Sequence, residues 1–269
     1  MKKYAVIWKR VGETPLEATE AYRRAENMSP HIPLAYAGRL DPMAEGKLLV
    51  LMGDECKKLA EYAGLDKEYE FEVLFGVSSD TGDVLGLVGA YAPVKNLEVS
   101  FIRSAAKKFR GENHFPYPNF SSKTVQGKPL HKWALENRLD EIDIPVRSSR
   151  VYAIRLLGVR TVSARELEQD IFKKIDTLSP VTDPDKAWGT DFRREPILKK
   201  WREVLSSAQG TVFSIARFRA AVSSGTYIRT IAEKIGQELG VPALAYAITR
   251  TKFGTYTSIA GMGFWRRVL

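Results

Sequence analysis

The sequence predicts an α/β (α+β) protein, and three observations carry that expectation. Residues 67–77, KEYEFEVLFGV, put Tyr69, Phe71, Val73, Phe75 and Val77 on one face by strict alternation, which is the period of a half-buried strand. Ile228, Ile231, Ala232, Ile235 and Leu239 recur with the period of an amphipathic helix. The chain of 269 residues is 44% hydrophobic and 27% charged, the composition of a protein able to bury a sizeable core. At about 150 residues per domain, that length suits one large domain or two unequal ones.

In chain order, Tyr4 to Trp8 reads as a strand and Pro15 to Arg24 as a helix. Residues 29–42 hold three prolines and a glycine, so they are expected to form an ordered loop, with KLLVLMG at 47–53 following as a buried strand. After the strand at 67–77, SDTGDVLG makes a turn. Val99 to Arg110 is expected to be helical, and residues 111–127, rich in Pro, Asn, Ser and aromatics, to form a long loop of the kind that is usually functional. RVYAIRLLGV at 150–159 is strand-like. Within residues 163–209, Ser163 and Glu166 form a capping box for one helix. Pro196 opens another, whose apolar stripe is Ile197, Leu198, Trp201, Val204 and Leu205, and Pro180, Pro184 and Gly189 mark the loop between the two. TVFSIARFRAAVS at 211–223 reads as a strand, and no internal repeat is apparent.

Composition excludes several classes. One cysteine, Cys56, and three histidines, His31, His114 and His131, cannot assemble a disulfide framework or a cysteine-rich zinc site, so no metal is expected. The start, MKKYAVIWKR, has too short an apolar stretch for a signal peptide, and no later run approaches a membrane span, so a cytoplasmic protein with no membrane contact is expected. Charge is uneven. Residues 1–144 carry 20 Lys/Arg against 21 Asp/Glu, whereas residues 145–269 carry 21 against 11, so the whole excess of +9 lies in the second part. Such a surface suits a polyanion, because neutralised phosphates release counterions, and equally suits a solvated basic face.

Three residues stand out chemically. Asp41 in GRLDPMAEG, 38–46, precedes Pro42 and could be a helix N-cap with proline at the first helical position. Arg229 in SSGTYIRT, 223–230, falls in the first turn of its helix, where the dipole disfavours a cation; it is either exposed or paired with a carboxylate from elsewhere in the fold. Tyr69 lies on the apolar face of its strand, where core packing is the default.

Together these segments resemble the TruB-type tRNA pseudouridine synthase family. AGRLDPMAEGKLLVLMGDECKKL at 37–59 is similar to the family's catalytic-aspartate motif, and KEYEFEVLFGVSSDTGDVLG at 67–86 to its tyrosine-bearing strand and following turn. PNFSSKTVQGKPLHKWA at 118–134, VSSGTYIRTIAEKIGQELG at 222–240 and AITRTKFG at 247–254 resemble a substrate-contacting segment, the arginine motif and the strand that closes the site. The resemblance implies a pseudouridine synthase fold, a mixed, largely antiparallel central sheet flanked by helices. It also implies isomerisation of a tRNA uridine, at position 55 of the T-arm, with no cofactor. Asp41 would be the nucleophile, paired with Arg229. Tyr69 would stack under the base and assist removal of the C5 proton, and Ile248 would wall the site. Flipping a uridine out of its stack costs a few kcal/mol, which contacts elsewhere on the RNA must offset. Tyr36 and Arg39 beside the aspartate, with Lys123, Lys128, Lys132 and Arg250, are therefore expected to contact substrate. His131, Arg147, Arg150, Arg217, Arg219 and Lys252 are further phosphate candidates.

The chain also departs from the family pattern. Tyr36 stands where the family usually has a histidine, and the early lysine motif survives as KRVGETP at 9–15, keeping Lys9, Gly12 and Thr14. The expected organisation is one catalytic domain over residues 1–269, without the family's C-terminal PUA-like domain and acting as a monomer. Residues 163–209 are expected to be a helical insertion that grips tRNA phosphates through Lys173, Lys174, Arg193, Arg194, Lys199, Lys200 and Arg202. The alternatives are a synthase for another tRNA or rRNA uridine and a non-catalytic RNA-binding or folding protein.

Overall fold

A computed structural model describes residues 2–94, 97–178, 193–259, 262–266 and 268. The chain runs β1 (Tyr4–Lys9), α1 (Pro15–Ala25), β2 (Leu34–Ala37), β3 (Glu45–Met52), α2 (Leu59–Ala63), β4 (Asp66–Phe75), β5 (Val77–Ser79), β6 (Val88–Tyr91) and α3 (Val99–Lys107). There follow β7 (Gly111–Pro116), β8 (Thr124–Val125), β9 (Lys128–Pro129), α4 (Leu130–Leu135), β10 (Val146–Ser163), α5 (Ala164–Asp176), α6 (Arg194–Ser207), β11 (Val212–Val222), α7 (Ile228–Glu238), β12 (Ala243–Ile259) and β13 (Met262–Arg266). Most strands join one sheet in the order β1-β3-β12-β4-β11-β10-β7, with β2 also on β3 and β13 on β12. Every pairing is antiparallel except β12 with β3, which run parallel through Thr249 opposite Glu45 and Arg250 opposite Gly46. The sheet is thus mixed and largely antiparallel, as the resemblance implies.

The alternation of β4 sorts its two faces. Tyr69, Phe71, Val73 and Phe75 are buried, and Phe71 stacks on Phe218 of β11 with ring centroids 5.3 Å apart. Glu70 and Glu72 point to the opposite, wetter face, where Glu70 pairs with Arg217 and Arg219 of β11 and Glu72 with Arg160 of β10. A ladder of cross-strand ion pairs therefore covers the face that the core does not use.

Helix starts follow the sequence. Thr14 and Glu17 form a capping box ahead of α1 with Pro15 at its first position, and Ser163 and Glu166 form the expected box ahead of α5. In α6, Ile197, Leu198, Trp201 and Leu205 are buried as the stripe requires. The loop read around Pro180, Pro184 and Gly189 lies outside the described residues.

Two expected loops contain strands. In residues 29–42, Leu34–Ala37 pairs with β3, and in residues 111–127, Gly111–Pro116 pairs with β10. Pro33 and Pro116 sit at strand boundaries, where a missing N–H costs no ladder bond, so prolines that signal a loop also fit edge strands. The N-cap reading of Asp41 does not hold either: the chain turns through 41–44, with Ala44 N–H donating to Asp41 O, and enters strand β3 rather than a helix.

The parallel β3–β12 junction positions the site. Gly46 has φ +114°, and a Cβ there would lie 2.4 Å from the Arg250 carbonyl oxygen, so only glycine lets the two strands meet at this point. The loop before it, 38–44, is held from both sides. Lys9, fully buried at the end of β1, donates from Nζ to Ala44 O at 2.6 Å, to Arg10 O at 2.9 Å and to Pro42 O at 3.4 Å, while Gly12 N–H also donates to Pro42 O. Arg250, fully buried on β12, donates to Gly38 O, Arg39 O and Lys47 O.

Candidate active site

The loop so pinned presents Asp41 to α7. The first turn of that helix carries Arg229, whose side chain is only 4% exposed and whose Nε lies 2.8 Å from Asp41 Oδ2. The expected pairing therefore forms, and it explains a cation at a helix start. A second carboxylate, which sequence reading missed, completes the arrangement: Asp83 Oδ2 is 3.7 Å from the same Nε. Asp83 is buried in the turn between β5 and β6, where its Oδ1 accepts from Thr81 Oγ1 and from Leu85 N–H. The guanidinium is completed by donation to Thr81 O and Phe120 O. SDTGDVLG signalled a turn in the sequence, and only the fold brings that turn under Arg229.

Burial and charge compete in this cluster. Burial opposes the charge on Arg229, but Asp41 and then Asp83 outweigh it and hold the guanidinium charged. Burial pushes the Asp83 carboxyl up to about 6, against the pull of Arg229 and with a further push from Asp41. One helical turn beyond Arg229, Glu233 is raised to about 7, again chiefly by burial. Its carboxylate rests against Gly82, where a Cβ would come within 2.9 Å of it, so glycine lets α7 pack onto the Asp83 turn.

A cavity opens beside the pair, lined by Asp41, Pro42, Thr81, Asp83, Leu85, Phe120, Leu135, Leu178, Arg193 and Arg229. Its walls are apolar and aromatic, with two carboxylates and an arginine converging at one end. A flat heterocycle set against a nucleophile would be held in such surroundings. Asp41, with a side chain 38% exposed, is the carboxylate open to a ligand; Asp83, at 6%, serves behind it.

The other expected site residues fall into four groups. Tyr69 and Ile248 share a sheet face, opposite Arg250 and Phe71 respectively, and both are buried in the core. Neither Tyr69 nor Ile248 lines the cavity as shaped. Tyr36 is half-buried on β2 and Arg39 exposed on the Asp41 loop. Lys123 and Lys132 are exposed, whereas Lys128 is half-buried over the Trp133 ring and ion-paired with Glu136. Arg250 requires a correction: with no exposed surface and its donors committed to three backbone carbonyls, it cannot reach a phosphate, and it acts as a pin for the Asp41 loop.

The stretch at 163–209 is also different from expectation. Lys174 donates to Tyr246 O and pairs with Asp170, and Arg194 donates to Ile175 O and Leu178 O, so two of its seven expected phosphate contacts have internal work, while Arg193 pairs with the exposed Asp80 beside the cavity. Trp201 is fully buried and donates from Nε1 to Val84 O, directly after Asp83. The two helices are part of the core behind the site. Lys173, Lys199, Lys200 and Arg202 remain on the surface, with Lys200 paired to Glu203.

Among the described residues, no helix is long and apolar enough to cross a membrane, and no cluster of metal-binding side chains forms.

Comparison with known proteins bears on the family and the fold. The chain is 29% identical over 243 residues to tRNA pseudouridine synthase 4 of Saccharomyces cerevisiae, covering 82% of this chain and 60% of the yeast protein. It is 27% identical over 248 residues to tRNA pseudouridine synthase B of Deinococcus radiodurans, covering 91% of this chain and 73% of that one. In fold it is similar to a chain in the crystal structure of a Cbf5-Nop10-Gar1 complex, with a TM-score of 0.56 and 18% identity over 94% of this chain, though it spans only 49% of that chain. The family described as TruB family pseudouridylate synthase (N terminal domain) matches residues 31–172, more than half of the sequence and the part that carries Asp41, Tyr69 and Asp83; the chain belongs to that family.

Proposed function

We propose that this protein is a tRNA pseudouridine synthase that isomerises a T-arm uridine, at position 55, with Asp41 as its nucleophile. The single observation that carries the reading is the Asp41–Arg229 ion pair at the end of an apolar cavity, with the carboxylate partly open and the guanidinium closed off behind it. In the reaction the C1′–N1 bond breaks, the base turns, a C1′–C5 bond forms, C5 loses a proton and N1 gains one. Nothing is consumed, so no co-reactant is required. Arg229 keeps the Asp41 carboxylate oriented for attack. Phe120, Leu85 and Leu135 supply apolar wall around a flipped base.

In this reading Tyr69 stacks under the base, and Arg250, opposite it on the neighbouring strand, joins it to the Asp41 loop. tRNA as substrate is supported by the names of the relatives above and by the basic second part of the chain.

The test is Asp41→Asn on an in vitro transcribed tRNA, with pseudouridine mapped by position. A neutral amide keeps the shape and is a poor nucleophile, so turnover should fall by at least a thousandfold while tRNA binding stays within a few-fold of wild type. Turnover within tenfold of wild type would remove Asp41 from the reaction, and product at another uridine would correct the position.

A further inference from the structure

We infer that Arg193, at the start of α6, is a substrate-binding residue of this site, holding the backbone phosphate beside the flipped nucleotide. The inference rests on the functional reading above and adds a residue from a part of the chain that lies beyond the matched family region of 31–172.

Four observations converge on Arg193. It lines the cavity with Asp41 and Asp83, although it comes from a distant stretch of sequence. Its guanidinium is fixed in place, both terminal nitrogens pairing with Asp80 and its central carbon lying over the Phe120 ring at 4.5 Å from the centroid. Its backbone is left-handed, φ 61°, a conformation that non-glycine residues rarely adopt and that the surrounding contacts must hold. Finally, among the described lining residues the cations are Arg193 and Arg229, and they differ in access: the Arg193 side chain is 20% exposed, against 4% for Arg229.

Charge then decides the role. An RNA nucleotide entering the cavity brings its flanking phosphates toward Asp41 and Asp83, which repel them, while Arg229 is already committed to those two carboxylates. Arg193 is the lining cation nearer solvent, and an entering phosphate takes the place of Asp80, its exposed partner, on the guanidinium. A guanidinium held over an aromatic ring and by one carboxylate is fixed in position, and its fork of N–H donors matches a phosphate as it matches a carboxylate. Asp80, exposed on the same turn as Asp83, sets the fork's position in the free protein.

The experiment compares wild type, Arg193→Gln, Arg193→Lys and Asp80→Asn for binding to an in vitro transcribed tRNA across a salt series, and for KM and kcat. Arg193→Gln should raise KM tenfold or more with kcat at saturation within threefold, and should lower the slope of log binding constant against log salt by about 0.7 to 0.9, the value of one phosphate contact. Arg193→Lys, which keeps the charge, should restore the slope. Asp80→Asn should leave the slope as in wild type, because the arginine stays. A purely structural role gives the opposite pattern: Asp80→Asn copies Arg193→Gln, kcat falls, and the slope is unmoved; that result overturns the inference. Binding is measured apart from turnover, so a wild type that binds tRNA yet forms no pseudouridine overturns the functional reading while the salt slopes still judge Arg193.

Discussion

Asp83 is the residue whose role the geometry changes most. It shares Arg229 with Asp41, and its carboxyl is raised to about 6, so near neutral pH it is ionised and in acid it is not. Asp83→Asn mimics the protonated form. Removing one charged partner of a buried arginine costs about 1–3 kcal/mol, so turnover should fall roughly 10- to 100-fold with KM little changed. The fall in wild-type kcat below about pH 6 should be absent from the variant. A pH profile of the same shape in both proteins would detach Asp83 from the reaction. Tyr69→Phe asks a separate question, since the ring stays and the hydroxyl goes. If the hydroxyl helps remove the C5 proton, rapid quench should trap an incompletely rearranged product; full activity would leave stacking as its role.

At the scale of elements, α6 is the support that sequence reading misplaced. Its tryptophan fills the core and bonds Val84 O, and the Ala245 N–H of β12 donates to Gly82 O, so the Asp83 turn is clamped from two sides. Trp201→Phe removes the indole donor and some volume, and should destabilise the protein by about 1–3 kcal/mol. Because the lost bond lies next to Asp83, kcat should fall as well, measured at a temperature where circular dichroism shows the variant fully folded. Unchanged kcat in a destabilised variant would make the helix a support of the core alone. Replacing residues 163–209 with a short linker should abolish folding rather than merely weaken tRNA binding, since it strips Leu167, Ile171, Ile175, Leu178, Ile197 and Trp201 from the core. Soluble, cooperative unfolding of such a deletion would refute that expectation.

For the whole molecule, buried titrating groups make stability depend on pH in a definite sense. Glu233 and Asp83 are raised, to about 7 and about 6, so the native state still binds protons that the unfolded chain has released above about pH 4. Their stabilisation is present below about pH 4 and is lost as pH rises to about 7. Lys67, lowered to about 7 by burial, and Lys9, lowered to about 8, act at the other end: the unfolded chain binds more protons above those values, so stability recovers as pH rises toward about 10. From these four groups a minimum near neutral pH follows. Glu233→Gln should remove part of the decline, on the order of 1–3 kcal/mol at pH 8 and almost none at pH 4, as read from urea unfolding at both pH values. An equal effect at the two pH values would show that the carboxyl's charge is not the cause.

The elements legible in the sequence are those whose signals are local: the alternation of β4, the box before α5, the stripe of α6 and the amphipathic α7. It also offered Asp41 and Arg229, each with an ordinary reading beside the chemical one. Which groups meet is set by the packing of distant segments. Asp83 looked like turn chemistry, Arg250 like a free cation and α6 like an appendage, because burial and partnership are properties of distant segments brought together. Charge on a side chain is written in the sequence, but its work is set by the groups that surround it: Arg250 spends its charge on backbone carbonyls, Arg229 on two carboxylates, and Arg193 lines the cavity.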